Sequence, residues 1–144
     1  MTYFEDLSGE LIKKVGWLEA PKPFARGEVS PSDVALLERL VVHSWKPPFQ
    51  ANGWHDCSLC GRKEGDGPLT RIIEGQRTLL GVAQIYVPDG ELMYEAPTLI
   101  LHYIEKHRYL PPAPFLEAVR RTDPHSAEYH RACDRMAAAA SRRR

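Results

Sequence analysis

The stretch from residue 79 to residue 107, LLGVAQIYVPDGELMYEAPTLILHYIEKH, sets the architecture that the sequence predicts. Leu79 to Val87 and the preceding segment Leu69 to Glu74 are rich in Ile, Leu and Val, so we predict two strands joined by a tight turn. Val87-Pro88-Asp89-Gly90 predicts a type I turn with a left-handed glycine, after which Glu91 to Tyr94 returns as a strand. Together these segments predict a small antiparallel β-meander.

The end of the same stretch predicts a helix. Pro97 suits a first helical position, because that position needs no backbone N–H donor. Residues at three- and four-residue spacing form its apolar face, namely Leu99, Ile100, Tyr103 and Ile104. The helix should end near His107, five residues after His102. Residues five apart differ by about 140° around an ideal helix, so we expect a tighter or irregular last turn to bring the two rings together.

Two further elements precede the meander. Ile12, Val15 and Trp17 alternate with polar residues and predict a short strand. Ser30-Pro31-Ser32-Asp33 combines an N-cap serine with proline at the first helical position, which is a strong start signal for a helix. We predict this helix from Ser30 to Trp45, ended by Pro47-Pro48. Its core-facing stripe is Val34, Leu37, Val41 and Trp45.

The C-terminal part of the chain predicts one short helix and an extension. Phe115 to Val119 follows a proline-rich segment and predicts the helix. Ala127 to Ala140 favours helix but has few large apolar residues, so we expect it to dock weakly or fray. We therefore divide the chain into a single α+β zinc-binding domain over residues 1–121 and an Ala- and Arg-rich helical or flexible extension over residues 122–144.

Composition and charge narrow the class of protein. The chain has 144 residues, of which 43% are hydrophobic and 26% charged, as in an ordinary globular domain. Nineteen Lys and Arg balance nineteen Asp and Glu, and this zero net charge argues against sequence-independent binding of nucleic acid. No apolar run approaches the roughly 18 residues of a membrane span, and Met1 to Asp6 lacks the features of a signal peptide. We therefore expect a cytoplasmic protein with no membrane association. The predicted fold is α+β, a small meander packed with two or three helices.

Cysteine and histidine spacing predicts a metal site. Cys57 and Cys60 form a C-x₂-C pair, which can chelate one ion from a single tight turn, and Gly61 after them favours such a turn. His102 and His107 fall within the H-x₃₋₅-H spacing of structural zinc sites. The sequence therefore predicts one zinc ion bound by two thiolates and two imidazoles, in the zinc-finger-like order of cysteine turn, hairpin and helix.

Other interpretations of these residues stay open. His55 competes with His107 as the fourth ligand, because His55, Cys57 and Cys60 could supply three ligands from one loop. With His55 taking part and one position left to water, the chain would be a metal-dependent enzyme that needs a general base. The acids nearest in sequence are Asp56, Glu64, Glu95 and Glu105. A redox role for the cysteines would need a low-pKa thiol at a helix N-terminus, which the glycine-rich residues after Cys60 do not favour.

The chain also resembles a known family. The residues that carry the resemblance are Met1 to Ser8, Val15-Gly16-Trp17-Leu18, His55-x-Cys57-x₂-Cys60, and Tyr94-x-Ala96-Pro97 followed by Leu99-Ile100-x-His102-Tyr103-Ile104-x₂-His107-x-Tyr109-x-Pro111-Pro112. In order and spacing they are similar to an uncharacterised family of small bacterial proteins, over residues 1 to 120. The resemblance implies a domain of unknown function with a metal-binding motif, and it assigns no activity to these positions.

We therefore expect a noncatalytic, zinc-stabilised domain that acts through interactions with a protein partner. Arginines make the C-terminal segment positive and raise nucleic-acid binding as a further hypothesis. These are Arg120, Arg121, Arg131, Arg135 and Arg142 to Arg144. The helix of His102 places Glu105 beside Lys106 and Arg108, and such a mixed face does not favour base recognition in a DNA groove, so we do not expect nucleic acid to be the partner.

Overall fold

The α+β class is confirmed by a computed structural model, which describes residues 3–6, 9–46, 56–60 and 67–142. The elements are β1 (Tyr3–Asp6), β2 (Gly9–Val15), α1 (Pro31–His43), β3 (Thr70–Ile73), β4 (Gln76–Leu79), β5 (Gln84–Asp89), β6 (Leu92–Pro97), α2 (Ile100–His107), α3 (Ala113–Arg121) and α4 (Ala127–Arg142). None of the helices within these ranges has both the length and the apolar character that crossing a bilayer requires.

The main sheet has four strands in the order β1-β2-β6-β5. β5 and β6 form an antiparallel hairpin in which Val87 lies opposite Tyr94. β2 runs parallel to β6, with Ile12 opposite Met93. The antiparallel pairing predicted for β5 and β6 is thereby confirmed. The parallel pairing of β2 was not predicted, because its partner lies far along the chain and a local pattern carries no information on pairing direction.

Two prolines lie inside strands rather than where the sequence predicted them. Gly90 has φ +64° and confirms the left-handed glycine of the β5–β6 turn. Pro88, however, belongs to β5, which is an edge strand and therefore tolerates a residue without an N–H. Pro97 pairs with Gln84 at the end of β6, and α2 begins only at Ile100.

β3 and β4 form a separate two-stranded sheet. Their tight turn is confirmed, with Glu74 and Gly75 at φ +52° and +79°. The single strand predicted from Leu79 to Val87 is wrong, because β4 ends at Leu79 and β5 starts at Gln84. Gly81 lies in this break, where its N–H donates to the Thr98 hydroxyl at 2.8 Å.

The start of α1 follows its sequence signal. Ser30 is the N-cap, and its hydroxyl accepts the N–H of Asp33 at 3.2 Å. The buried apolar face consists of Leu37, Leu40 and Val41, so Val34 lies at its margin. The helix ends at His43, two residues before Trp45. Pro47-Pro48, the predicted stop, lie outside the described residues.

Helices cover both faces of the main sheet. Alternate strand residues such as Ile85, Val87 and Tyr94 pack against α1, α2 and α3 in the main core. Tyr86 and Met93 point to the opposite face, where they contact Tyr129 and Cys133 of α4.

The expected weak docking of α4 is wrong. Tyr129 is 3% exposed and Cys133 is fully buried, and the Tyr129 hydroxyl donates to the Tyr86 carbonyl at 2.9 Å. A narrow apolar stripe is enough for an alanine-rich helix to pack on the sheet, because its small side chains let the helix backbone approach the strands closely. The division at residue 121 stays a prediction.

Candidate metal centre

Cys57 and Cys60 lie in a tight turn, as the C-x₂-C spacing predicts. The Cys60 N–H donates to the Cys57 carbonyl, and the Asp56 carboxylate accepts the Cys57 N–H at 2.9 Å. Cys57 is 3% exposed, whereas Cys60 is exposed. The turn therefore presents one sulfur from the core and one from the surface.

The rest of the fold holds this turn in place. The Ser58 hydroxyl accepts the Ala20 N–H at 3.0 Å, which links the turn to the segment after β2. Leu59 packs against the main core. No sequence pattern marked Ser58 for this role, because its partner is thirty-eight positions away.

Helix α2 carries both histidines, His102 in its first turn and His107 as its last residue. It ends at Arg108, which has φ +57°, and the Tyr109 N–H returns to the Tyr103 carbonyl at 3.1 Å. The sequence predicted a tighter or irregular last turn. The tighter form is wrong, because the chain stays α-helical through His107, and the irregularity begins at Arg108. Side chains on a helix lean toward its N-terminus, so the His107 ring reaches back over the preceding turn toward His102.

A second contact fixes the end of α2. The segment after the helix pairs with the loop at residues 25–27, through Leu110 N–H to the Ala25 carbonyl at 3.0 Å and Gly27 N–H to the Arg108 carbonyl at 2.9 Å. The loop that reaches the cysteine turn at Ala20 thus also reaches the helix end. The segment from residue 20 to residue 27 therefore contacts both the cysteine turn and the end of the histidine helix.

The four predicted ligands converge. The Cys60 sulfur lies 3.1 Å from His102 Nε2 and 3.3 Å from His107 Nε2, and the Cys57 sulfur lies 3.3 Å from His107 Nε2. One ligand atom from each residue lies within 4.8 Å of every other. The rings of His102 and His107 have centroids 5.1 Å apart. The sequence-predicted set is therefore brought together as one cluster.

The spacing of these atoms fits a small tetrahedral ion. Bonds of about 2.3 Å to sulfur and about 2.0–2.1 Å to nitrogen place a sulfur and a nitrogen on one tetrahedral centre about 3.6 Å apart. The observed sulfur–nitrogen distances of 3.1 to 3.3 Å are only slightly shorter. Two thiols and two imidazoles are also the donor chemistry of a structural zinc site. The residues present fit such an ion.

The local environment shifts the protonation of the cluster. Burial, reinforced by the neighbouring Cys60 thiol, raises the pKa of Cys57 to about 11, and the backbone N–H groups of Leu59 and Cys60 oppose this rise. Burial, helped by the positive charge of Arg26, lowers the pKa of His107. At neutral pH His107 is therefore in the form that binds metals, and a cation at Cys57 must displace a proton.

The proposed alternatives are placed as follows. His55 and Glu64 lie outside the described residues. Glu105 forms an ion pair with Arg71, and Glu95 lies on the main sheet with Lys14 at 4.0 Å.

Asp56 is the candidate acid beside the cysteine turn. Burial raises the pKa of Tyr103, and the nearby acidic groups of Cys57, Asp56 and Cys60 add to this rise. Among the described residues, His43, His125, His130 and Cys133 do not belong to the cluster.

Fold and cluster together define a small α+β domain with a Cys₂His₂ set of side chains that could hold a metal ion. The chain belongs to the family described as a domain of unknown function, DUF7919, whose model matches residues 1–120. The resemblance to an uncharacterised domain family is thereby confirmed, and α4 lies beyond the matched residues. No curated protein and no solved structure matches the chain.

Proposed function

We propose that Cys57, Cys60, His102 and His107 bind one structural zinc ion, and that the chain is a noncatalytic interaction module stabilised by this ion. The observation that carries the proposal is the mutual approach of four ligand atoms within 4.8 Å. Two cysteines come from a turn and two histidines from a helix. An ion bound there would fasten these segments to each other.

The donor set favours zinc. Thiolate and imidazole ligands together suit Zn²⁺ better than Mg²⁺ or Ca²⁺, which prefer oxygen. Four protein donors fill a tetrahedral coordination sphere, and a filled sphere has no position for a reactive water. This argues for a structural rather than a catalytic ion.

The competing hypothesis is a metal-dependent enzyme in which His55 takes part and water holds one position. One observation favours it: the carboxylate of Asp56 lies next to the cluster, bonded to the Cys57 N–H at 2.9 Å. An acid beside an open zinc position is the arrangement that hydrolytic zinc enzymes use.

X-ray absorption on the full chain, purified without chelator, separates the two hypotheses. We expect one zinc per chain with two sulfur and two nitrogen neighbours, and loss of that stoichiometry in His107→Ala but not in His55→Ala. Cys133→Ala serves as the cysteine control, because its thiol is buried outside the cluster. An oxygen neighbour in the parent, together with zinc loss in His55→Ala, would favour the enzyme; a parent without zinc would refute both.

The interaction role is supported by exposed apolar residues on the β3–β4 hairpin. Ile72 and Leu79 are 63% and 47% exposed. Ile72 pairs with Arg77 and Thr70 pairs with Leu79, so all four side chains share the outward face. Large apolar side chains grouped on one face of a hairpin are typical of a protein contact surface.

Affinity purification with the tagged full chain tests this role. The matched variant is Ile72→Ser with Leu79→Ser, which removes the apolar groups and leaves the cluster untouched. We expect a protein retained by the parent to be lost in the variant at equal zinc content and equal melting temperature. Identical retained proteins in both samples would contradict the assignment of this face.

A further inference from the structure

A second group of metal-binding side chains lies outside the Cys₂His₂ cluster. His43 at the end of α1, Glu74 in the β3–β4 turn and His125 before α4 line one surface cavity. We propose that these three residues form a second, weaker site for a divalent transition metal such as Zn²⁺. This site does not depend on the proposed role of the cysteine cluster.

The contact between His43 and Glu74 has the spacing of two ligands on one ion. His43 Nε2 lies 2.9 Å and 3.2 Å from the two carboxylate oxygens of Glu74. Nitrogen and oxygen ligands bonded to one tetrahedral zinc at about 2.0–2.2 Å are separated by about 3.4 Å, a few tenths of an ångström more than these contacts. An ion can therefore replace the hydrogen bond between them with little movement of either side chain.

The two imidazoles are also close enough to share an ion. The rings of His43 and His125 have centroids 4.9 Å apart and are tilted by 53°. Two imidazoles on one ion, each bonded at about 2.0–2.1 Å, have centroids about 4.5 to 5.2 Å apart. The His102 and His107 rings of the first cluster are separated by nearly the same distance, 5.1 Å.

This second set is more open than the first. Among the described residues, only the Cys₂His₂ cluster has one ligand atom from each of three or more residues within 4.8 Å of all the others. A ring nitrogen of His125 must therefore rotate into place, and its exposed side chain is free to do so. The need for this rotation is the reason we expect weaker binding here.

The β3–β4 turn places one carboxylate beside the two imidazoles. Glu74 has φ +52°, the conformation that a two-residue hairpin turn requires, and from this turn its carboxylate contacts His43. The cavity is lined by the carboxylates of Glu38, Glu74 and Asp123 and by the guanidinium of Arg39. Arg39 pairs with Asp123 and Arg71 pairs with Glu38, each at 2.9 Å, so Glu74 is the carboxylate among these three that no arginine of the described residues offsets.

Calorimetric titration of zinc into the full chain, already loaded with one equivalent of zinc, tests the proposal. We expect a second binding event in the parent, weakened at least tenfold in His43→Gln and in His125→Gln. His130→Gln is the matched control, because His130 is an exposed histidine of α4 that does not line the cavity. Melting temperatures of all variants at one equivalent of zinc verify that each is folded.

Imidazole resonances in nuclear magnetic resonance spectra give a second measurement. The second equivalent of zinc should shift the signals of His43 and His125 and leave that of His130 unchanged. If zinc never shifts the His43 and His125 signals of the parent, at one equivalent or at two, or if a His43→Gln chain binds this zinc as tightly as the parent does, the proposal is overturned.

Discussion

Replacing Cys57 with serine should destabilise the protein far more in the presence of zinc than in its absence. The cluster joins positions 42 and 50 residues apart, Cys60 to His102 and Cys57 to His107. A cross-link that closes a loop of this length lowers the entropy of the unfolded chain, which raises the free energy of unfolding by about 4 kcal/mol. Zinc binding of about 10–16 kcal/mol shared among four ligands gives a similar value for one ligand.

We therefore expect Cys57→Ser to lower the free energy of unfolding by about 4 kcal/mol in zinc. For a chain of this size, that loss lowers the melting temperature by roughly 10 to 15 °C. In chelator only the cost of a polar hydroxyl at a buried position should remain, about 1 kcal/mol.

Urea unfolding of parent and variant, each in zinc and in chelator, measures both differences. Cys133→Ala should give the same loss in both conditions, because its thiol lies outside the cluster. If parent and Cys57→Ser differ equally with and without zinc, the cysteine stabilises by packing alone and our reasoning on the cluster is wrong.

Three further predictions concern the fold around the site. The Arg120 guanidinium is hydrogen-bonded to Asp33 and lowers the pKa of that carboxyl below its usual 3.8, so the ion pair stabilises the fold above about pH 4 and this stabilisation is lost as the pH falls through the folded-state pKa. In Asp33→Asn, the free energy of unfolding measured in urea should therefore depend less on pH between about pH 5 and 2. An unchanged pH profile would contradict this. Tyr129→Phe removes the hydroxyl that bonds the Tyr86 carbonyl and should lower the free energy of unfolding by about 1–2 kcal/mol without changing zinc content, which urea unfolding and metal analysis check. Gly16→Ala puts a methyl group in a φ +78° conformation against the side chain of α2, so a melting curve should show a loss of about 1–3 kcal/mol; an equally stable variant would refute the steric argument.

Local sequence signals predicted the elements whose geometry depends on one or two residues. Ser30 and Pro31 marked the start of α1 because a cap and a fixed φ act within one turn. Gly90 marked the β5–β6 turn because few other residues adopt its backbone conformation. The cysteine turn and the order of the four candidate ligands were predictable for the same reason: ligand spacing is a property of short segments.

Contacts between distant segments were not predictable in this way. The parallel pairing of Ile12 with Met93 depends on which strands meet in space, and strand pattern does not encode that choice. The docking of α4 did leave a signal, since Tyr129, Ala132, Cys133 and Met136 recur at three- and four-residue spacing. A pattern of large apolar residues does not reveal this stripe, because two of its four residues are small.

The position of the cluster follows from what the apolar core leaves unsupported. From residue 49 to residue 68 the chain is polar and glycine-rich, and within its described part only Cys57 and Leu59 join the main core. Two side chains bury too little surface to offset the conformational entropy of ordering such a segment. An ion bound by Cys57 and Cys60 would supply the missing stabilisation. Because the loop at Ala20 contacts the cysteine turn and continues to the end of α2, the same ion would stabilise three chain segments that the core holds only in part.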